Sequence, residues 1–191
     1  MLTLKGTKTE QNLFKAFARE SQYHDLYTRF AGIARNEELE QIAYIFAATA
    51  NQIKDHAKLL FQFLDGGMSN NAEDFQTGTI SDTLDNLLPP IESGYEERID
   101  LYLWFAEIAK NQGFNNIAIA FRHIAQVKKE YGERYSNLCT NLKLGNVLEK
   151  NGVVIWKCRN CGSLHEGKSA PNKWPTCINN QWYFGMTDLK Y

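Results

Sequence analysis

The chain has 191 residues, 43% hydrophobic and 13% aromatic, which is enough for one ordinary core with a small appendage. Its 21 basic and 22 acidic side chains leave a net charge of -1, so charge provides no general attraction to nucleic acid or anionic lipid. No apolar run approaches the ~18 residues of a membrane span, and the first residues lack the basic-then-apolar pattern of an export signal. We therefore expect a cytoplasmic protein with neither nucleic-acid nor membrane partners.

The four cysteines are unevenly distributed. Cys158, Cys161 and Cys177 lie close together near the C-terminal end, whereas Cys139 stands alone. A cluster built on a Cys-x-x-C pair is typical of a metal knuckle rather than of a secreted disulfide framework. We predict two domains, residues 1–146 and residues 147–191, with the cluster in the second. A lone cysteine late in a helix is most often a small hydrophobe, so Cys139 is given no catalytic role.

The first domain is predicted to contain four amphipathic helices. Inward residues recur at steps of three and four over about residues 8–35, 37–65 and 113–143, the spacing that places side chains on one helical face. Pro89 and Pro90 interrupt the third helix, which predicts a short helix over 81–88 and a longer one after Pro90. The inward face of this longer helix is predicted to follow Gly94, Glu97, Leu101, Trp104 and Ile108.

The connections predict how the helices are arranged. Short links near Asn36 and Gly113, separated by a long polar stretch over 66–79, indicate two antiparallel helical hairpins joined by a crossover. The pair Gly66-Gly67 predicts the end of the second helix. After residue 146 the pattern changes: residues 153–156 predict a strand, and frequent glycine and proline argue against helices.

Five polar or charged residues lie on or beside the predicted inward faces, near the middle of their helices. Burying such groups is costly unless they are paired, hydrogen-bonded or bound to metal. Any one of them alone could be an ordinary satisfied core residue, but five residues across four helices indicate a shared site. They are Glu20, His24, His56, Glu97 and Lys128.

Several segments carry a resemblance to a known family. They are residues 12–22 (NLFKAFARESQ), 55–61 (DHAKLLF), 105–109 (FAEIA), 133–135 (ERY), 156–162 (WKCRNCG) and 165–167 (HEG). With these segments the sequence resembles rubrerythrins over nearly the whole chain. The resemblance implies a mainly α fold: a ferritin-like four-helix bundle with a small C-terminal rubredoxin-like β domain.

The resemblance also implies an activity and an assembly. Rubrerythrins reduce hydrogen peroxide at a non-haem di-iron centre in an NADH-linked reaction, with electrons passing through the rubredoxin iron. The family forms homodimers, in which the rubredoxin-like part of one subunit lies near the bundle site of another, and a redox protein partner would supply electrons. Two iron ions need bridging carboxylates and terminal ligands on facing helices.

Only part of the implied di-iron ligand set is present. Glu20, His56 and Glu97 match the family at three of seven positions, while the other four hold Ile53, Gly94, Lys128 and Tyr131. The Lys128 ammonium can take the place of a cation and be neutralised by the carboxylates. The sequence therefore predicts a pocket that balances its own charge without a di-iron centre.

Two narrower interpretations of the bundle site stay open. A single metal ion could be held by Glu20, His56 and Glu97, with His24 as a further candidate, if the lysine were neutral or turned away. The resemblance also places Tyr27 and Tyr102 where tyrosines hydrogen-bond the family's carboxylates. Both tyrosines could equally be core residues.

The implied rubredoxin site is also incomplete. Such a site needs four thiolates from two Cys-x-x-C turns, and here the second turn reads Trp174-Pro175-Thr176-Cys177. The three thiolates could bind zinc with water or His165 as fourth ligand. Alternatively, Trp174 fills the metal's volume and the domain folds around an aromatic core, an interpretation we favour. That core would contain Trp156, Trp174, Trp182, Tyr183 and Phe184.

The sequence thus predicts a rubrerythrin-like protein with degenerate di-iron and rubredoxin sites and a binding, regulatory or structural role. No cofactor is expected at full occupancy, although iron or zinc could bind the residual ligands. Two alternatives stay open: an iron oxidoreductase that keeps an altered metal site and reduces peroxide, and a zinc-binding protein without redox turnover. Glycine-rich phosphate-binding loops are absent from the sequence.

Overall fold

The computed structural model describes residues 3–64, 80–87, 95–174 and 177–187, with only the backbone described over 95–98. Within these ranges the chain is mainly helical and ends in a small antiparallel sheet. This agrees with the predicted fold class. None of the described helices combines the length and apolar character needed to cross a lipid bilayer.

The first two helices form an antiparallel hairpin. Helix α1 runs over Lys8–Asn36 and is capped by Thr7, whose side chain accepts a hydrogen bond from the backbone N–H of Glu10. Helix α2 runs over Glu40–Gln62 after a three-residue link. It ends a few residues before the predicted stop at Gly66-Gly67, a pair that lies outside the described residues.

The remaining helices follow the predicted order. Helix α3 is a single turn over Thr83–Asn86, shorter than predicted, and is capped by the side chain of Asp82. Helix α4 runs over Tyr95–Asn111 and packs along α5, which runs over Asn115–Lys143. The two prolines and the crossover over 66–79 lie outside the described residues.

The bundle contains two apolar clusters at different heights. One is built around Tyr27, Phe46 and Tyr135, and the other around Leu13, Phe105 and Phe121. On α1, α2 and α5 the buried residues of the two clusters are separated by about two to three helical turns. Glu20, His56 and Lys128 occupy that interval, so the polar residues form a layer across the middle of the bundle.

The predicted inward face of α4 is wrong. Trp104 is 52% exposed, whereas the buried face carries Tyr102, Phe105, Ala106 and Ala109. The helix has large apolar residues on both faces, so their spacing did not reveal its phase. By contrast, the inward face predicted for α5 is confirmed from Ile117 to Leu138, and only Leu142 at its end is half-buried.

The C-terminal region is a three-stranded antiparallel sheet with strand order β2-β1-β3. The strands are β1 (Glu149–Cys158), β2 (Leu164–Ser169) and β3 (Phe184–Met186). Trp156, which is fully buried, pairs with His165 on one side and Met186 on the other. Around it pack Val147, Leu148, Ala170 and Phe184, with Trp174, Trp182 and Tyr183 at the edge of the cluster.

This small sheet region docks on the end of the first hairpin. The guanidinium of Arg159 lies 3.8 Å from the ring centroid of Tyr44 on α2. Asn180 donates a hydrogen bond to the carboxylate of Glu38, with a distance of 3.2 Å. Trp182, in a one-turn 3-10 helix over Gln181–Tyr183, packs against the bundle cluster around Phe46. The cysteine-bearing turns are therefore held at the α1–α2 link.

Candidate functional site

A buried carboxylate, Glu20 on α1, lies at the centre of the polar layer and has no exposed surface. The hydroxyl of Tyr102 on α4 donates to its Oε1 at 2.5 Å, and Nζ of Lys128 on α5 lies 2.7 Å from the same oxygen. Nδ1 of His56 on α2 lies 3.3 Å from Oε2. Each of the other three long helices thus contributes one partner to Glu20.

The ammonium of Lys128 is enclosed by aromatic rings as well as by the carboxylate. Its side chain is 7% exposed. Nζ lies 5.0 Å from the ring centroid of Tyr23 and 5.1 Å from that of Tyr102, within the range of cation–π attraction. Tyr23 lies one turn after Glu20 on α1, a spacing from which its part in the site could have been predicted.

The partners of Glu20 determine its protonation state. Burial by itself would raise the pKa of Glu20. Attraction to Lys128 and hydrogen bonds from His56, Lys128 and Tyr102 lower this pKa by a larger amount, so that it falls to about 2. Burial, together with the charge of Glu20, raises the pKa of Tyr102 well above its ordinary value, so that hydroxyl stays protonated and donates. The centre of the bundle therefore holds an ionised carboxylate paired with an ammonium.

Besides Lys128, the structure describes two residues at substituted positions where the resemblance implies iron ligands, Ile53 and Tyr131. Ile53 is 1% exposed and packs in the apolar cluster with Tyr131. The hydroxyl of Tyr131 is buried and has no hydrogen-bond partner among the described residues, and burial raises its pKa. Gly94 and the side chain of Glu97 lie outside what the structure describes, so their part in the site stays a prediction.

The other two predicted candidates have different surroundings. Tyr27 packs in an aromatic cluster against Phe30, Phe46 and Tyr135. Nδ1 of His24 lies 3.0 Å from the backbone carbonyl oxygen of Ala50, a contact that ties α1 to α2. These contacts account for Tyr27 as a core residue and for His24 as a polar residue satisfied by the neighbouring helix.

The three C-terminal cysteines come together at the end of β1. The Sγ atoms of Cys158, Cys161 and Cys177 lie within 4.8 Å of one another, and those of Cys158 and Cys177 are 4.0 Å apart. Within the described part of the chain they are the only group of three or more histidine, cysteine or acidic residues close enough to share a metal ion. Gly162 closes the turn with a φ of 76°, a conformation that favours glycine, and its N–H bonds to the carbonyl of Cys158.

Polar side chains surround the three sulfurs. The side-chain amides of Asn160 and Asn179 donate to Sγ of Cys177 at 3.3 and 3.0 Å. Sγ of Cys161 lies 3.2 Å from Oγ of Ser163, and hydrogen bonds from the side chain and backbone of Ser163 lower the pKa of Cys161 to about 6. Sequence reasoning missed these donors, because asparagine and serine are common in turns for other reasons.

Trp174, at the position where the resemblance implies a fourth cysteine, packs among other aromatic rings. The ring of Trp174 lies edge-on to His165 and Phe184, with centroid distances of 5.6 and 6.1 Å. Its carbonyl oxygen accepts a hydrogen bond from the N–H of Cys177. His165, the alternative fourth ligand, is not part of the sulfur cluster.

Comparison with known proteins settles the relationship. The family model described as rubrerythrin matches residues 11–139, and the one described as the rubredoxin-like domain of rubrerythrin matches residues 156–185. This chain belongs to the rubrerythrin family. The predicted resemblance is thereby confirmed.

The relatives span almost the full length of this rubrerythrin-family chain. A rubrerythrin from Porphyromonas gingivalis is 44% identical over 99% of the chain and 94% of the relative. A rubrerythrin from Nitratidesulfovibrio vulgaris is 38% identical, with both chains fully covered. Among solved structures, nigerythrin in a mixed-valence state is 25% identical, with a TM-score of 0.62 over 96% of this chain and 91% of that one.

Proposed function

We propose that this rubrerythrin-family protein has lost the di-iron peroxidase centre and has a binding, regulatory or structural role. The observation that carries the proposal is the ion pair in the middle of the bundle, where Nζ of Lys128 lies 2.7 Å from Oε1 of Glu20. Both oxygens of that carboxylate already have partners inside the protein. The residues present therefore do not fit a di-iron centre.

Electrostatics supports this proposal. At an effective dielectric constant of about 20, unit charges about 4 Å apart interact by about 4 kcal/mol, and a divalent ion doubles that value. An iron ion placed beside the Lys128 ammonium would meet this repulsion and would also compete with the ammonium for Glu20. To bind there, the iron ion would have to displace the Lys128 side chain, which is only 7% exposed.

The other implied ligand positions do not supply the iron ligands that are missing. Ile53 has no ligating atom, and the raised pKa of Tyr131 keeps its hydroxyl protonated, which makes it a poor metal ligand. Of the implied set, only Glu20, His56 and Glu97 keep a ligand of the family's type. Two of these, Glu20 and His56, already contact each other.

The sulfur cluster does not fit a rubredoxin-type iron site, because it offers three thiols where four are needed. It does favour a second candidate function, zinc binding. Three thiolates within 4.8 Å of one another could hold zinc, with water as the fourth ligand, in a protein without redox turnover. The oxidoreductase alternative, with its redox protein partner, would need an electron path that these residues do not support.

We propose a homodimer in the cytoplasm, with the domains divided into residues 1–146 and 147–191. Support for the boundary comes from the end of α5 at Lys143 and the start of β1 at Glu149. Large apolar side chains that are half-exposed on three helices support an association between subunits, namely Phe61, Trp104 and Ile119.

Peroxide turnover tests the proposed function. The full-length protein, incubated anaerobically with ferrous iron and desalted, should reduce peroxide with a non-thiol electron donor no faster than the protein not exposed to iron. We expect this because neither the bundle nor the sulfur cluster offers a complete iron site. Sustained iron-dependent turnover, followed as peroxide consumed per chain, would establish the oxidoreductase alternative instead.

A further inference from the structure

We propose that the three-cysteine cluster is a peroxide-reactive thiol site, in which Cys161 is oxidised first and then forms a disulfide with one of the two buried sulfurs beside it. This inference goes beyond the proposed function. It needs only that the cluster is not closed by a fourth ligand. It assigns a redox activity that depends on sulfur rather than on iron.

The three clustered sulfurs differ in their access to solvent. Cys161 is exposed, whereas Cys158 and Cys177 are 1% and 7% exposed. A small hydroperoxide can therefore reach Cys161 directly from solvent, while the other two sulfurs are shielded by the domain core. The fourth cysteine, Cys139, is 3% exposed inside the helical bundle and has no cysteine in this cluster as its neighbour.

The three sulfurs lie close to one another. The Sγ atom of Cys161 lies within 4.8 Å of both buried sulfurs. Rotation of the exposed Cys161 side chain can therefore bring its sulfur to bonding distance from one of them. The side-chain amides of Asn160 and Asn179 both donate hydrogen bonds to the sulfur of Cys177. A thiol oxidised at this position thus has a resolving partner at hand.

The sulfur cluster has three thiols and no fourth cysteine beside them. In a closed four-thiolate site, metal coordination occupies the sulfurs and protects them from oxidation. Here the corresponding side chain is the indole of Trp174, which is packed against His165 and Phe184. Among the described residues no fourth histidine, cysteine or acidic side chain joins the three sulfurs, and Cys161 is exposed to solvent.

The chemistry balances with one hydrogen peroxide as the oxidant. The sulfur of Cys161 attacks one peroxide oxygen, the O–O bond breaks, and the other oxygen leaves as water with the thiol proton, which gives a sulfenic acid. A buried thiol then attacks the sulfenic sulfur, the S–O bond breaks, and a second water leaves as the S–S bond forms. Two thiols are oxidised by two electrons in all, and the peroxide is reduced to two waters.

The test uses the full-length chain, reduced, desalted without oxygen and analysed for bound metal. After one equivalent of hydrogen peroxide, the number of reactive thiols per denatured chain should fall from four to two. Peptide mapping by mass spectrometry should place the disulfide between Cys161 and either Cys158 or Cys177.

Two variants make the result specific. Cys161→Ser should slow thiol loss at least tenfold, whereas Cys139→Ser, a change at a buried cysteine outside the cluster, should leave its rate unchanged. The proposal is overturned if four thiols persist, if Cys161→Ser is oxidised at the wild-type rate, or if the disulfide includes Cys139 or links two chains. Because iron content does not enter this readout, its failure is distinguishable from failure of the proposed function.

Discussion

Replacing Lys128 with methionine is expected to lower the free energy of unfolding by about 3–5 kcal/mol, because it leaves the carboxylate of Glu20 buried without its cation. The side chains of Glu20 and Lys128 are 0% and 7% exposed, so solvent cannot take over the role of the ammonium. Methionine keeps most of the volume of lysine, which separates the loss of charge from the creation of a cavity. Urea denaturation at pH 7 measures the difference.

An exposed ion pair provides the matched control. Lys58 and Asp55 on α2 lie 2.9 Å apart, but their side chains are 63% and 71% exposed. Lys58→Met should therefore cost less than about 1 kcal/mol. Adding Glu20→Gln to Lys128→Met should recover much of the lost stability, because the unpaired charge is removed. If Lys128→Met costs no more than Lys58→Met, the buried pair does not exist as described.

The same pair gives stability a defined pH dependence. The pKa of Glu20 is lowered from 4.5 to about 2 in the folded protein, so its contribution is complete above pH 4.5 and is lost as pH falls towards 2. The difference in pKa corresponds to about 3 kcal/mol. Glu20→Gln should flatten this part of the stability curve relative to the wild type, as measured by urea denaturation between pH 5 and pH 2.5.

A large gain in iron uptake is expected when the missing iron ligands are restored. The variant Ile53→Glu, Lys128→Glu and Tyr131→His should take up about two iron ions per chain, where the wild type takes up none in the bundle. The changes replace the ammonium with a carboxylate and add one further carboxylate and one imidazole beside Glu20 and His56. Iron analysis after anaerobic loading and desalting measures the gain.

A fourth change serves as the control for this variant. Adding Glu20→Ala removes a retained ligand and should abolish most of the iron uptake, which shows that the iron lies in the bundle and not at the cysteines. Circular dichroism checks that each variant is folded. A folded triple variant without iron would show that these positions do not face a common site.

Much of the site could be predicted because periodicity is clear where a helix has one apolar face. On α5 the apolar positions repeat without ambiguity, so Lys128 and Tyr131 could be assigned to the inward face from the sequence. Neutralisation of Lys128 by one or both of the carboxylates of Glu20 and Glu97 then followed from the cost of burying charge. The contact between Nζ of Lys128 and Oε1 of Glu20, at 2.7 Å, depends on how the helices pack. It became visible only in the structure.

Where a helix has two apolar faces, the sequence was misleading. On α4 the large apolar residues Leu103 and Trp104 are exposed, whereas Phe105 next to them is buried. The buried alanines are too weakly hydrophobic to show which face of the helix points inward. Tyr23 was missed although it lies one turn after Glu20, because tyrosine occurs both in cores and on surfaces; the ring's position near Nζ of Lys128 shows its part. The donors from Asn160 and Asn179 depend on loop conformation, which spacing does not encode.

The most direct test of the central claim is a crystal structure of the wild-type protein grown after anaerobic incubation with ferrous iron, with anomalous data collected at the iron edge. We predict no anomalous peak between the four helices and Nζ of Lys128 in contact with Oε1 of Glu20. A pair of strong peaks beside Glu20 and His56, with the lysine turned away from the carboxylate, would contradict it.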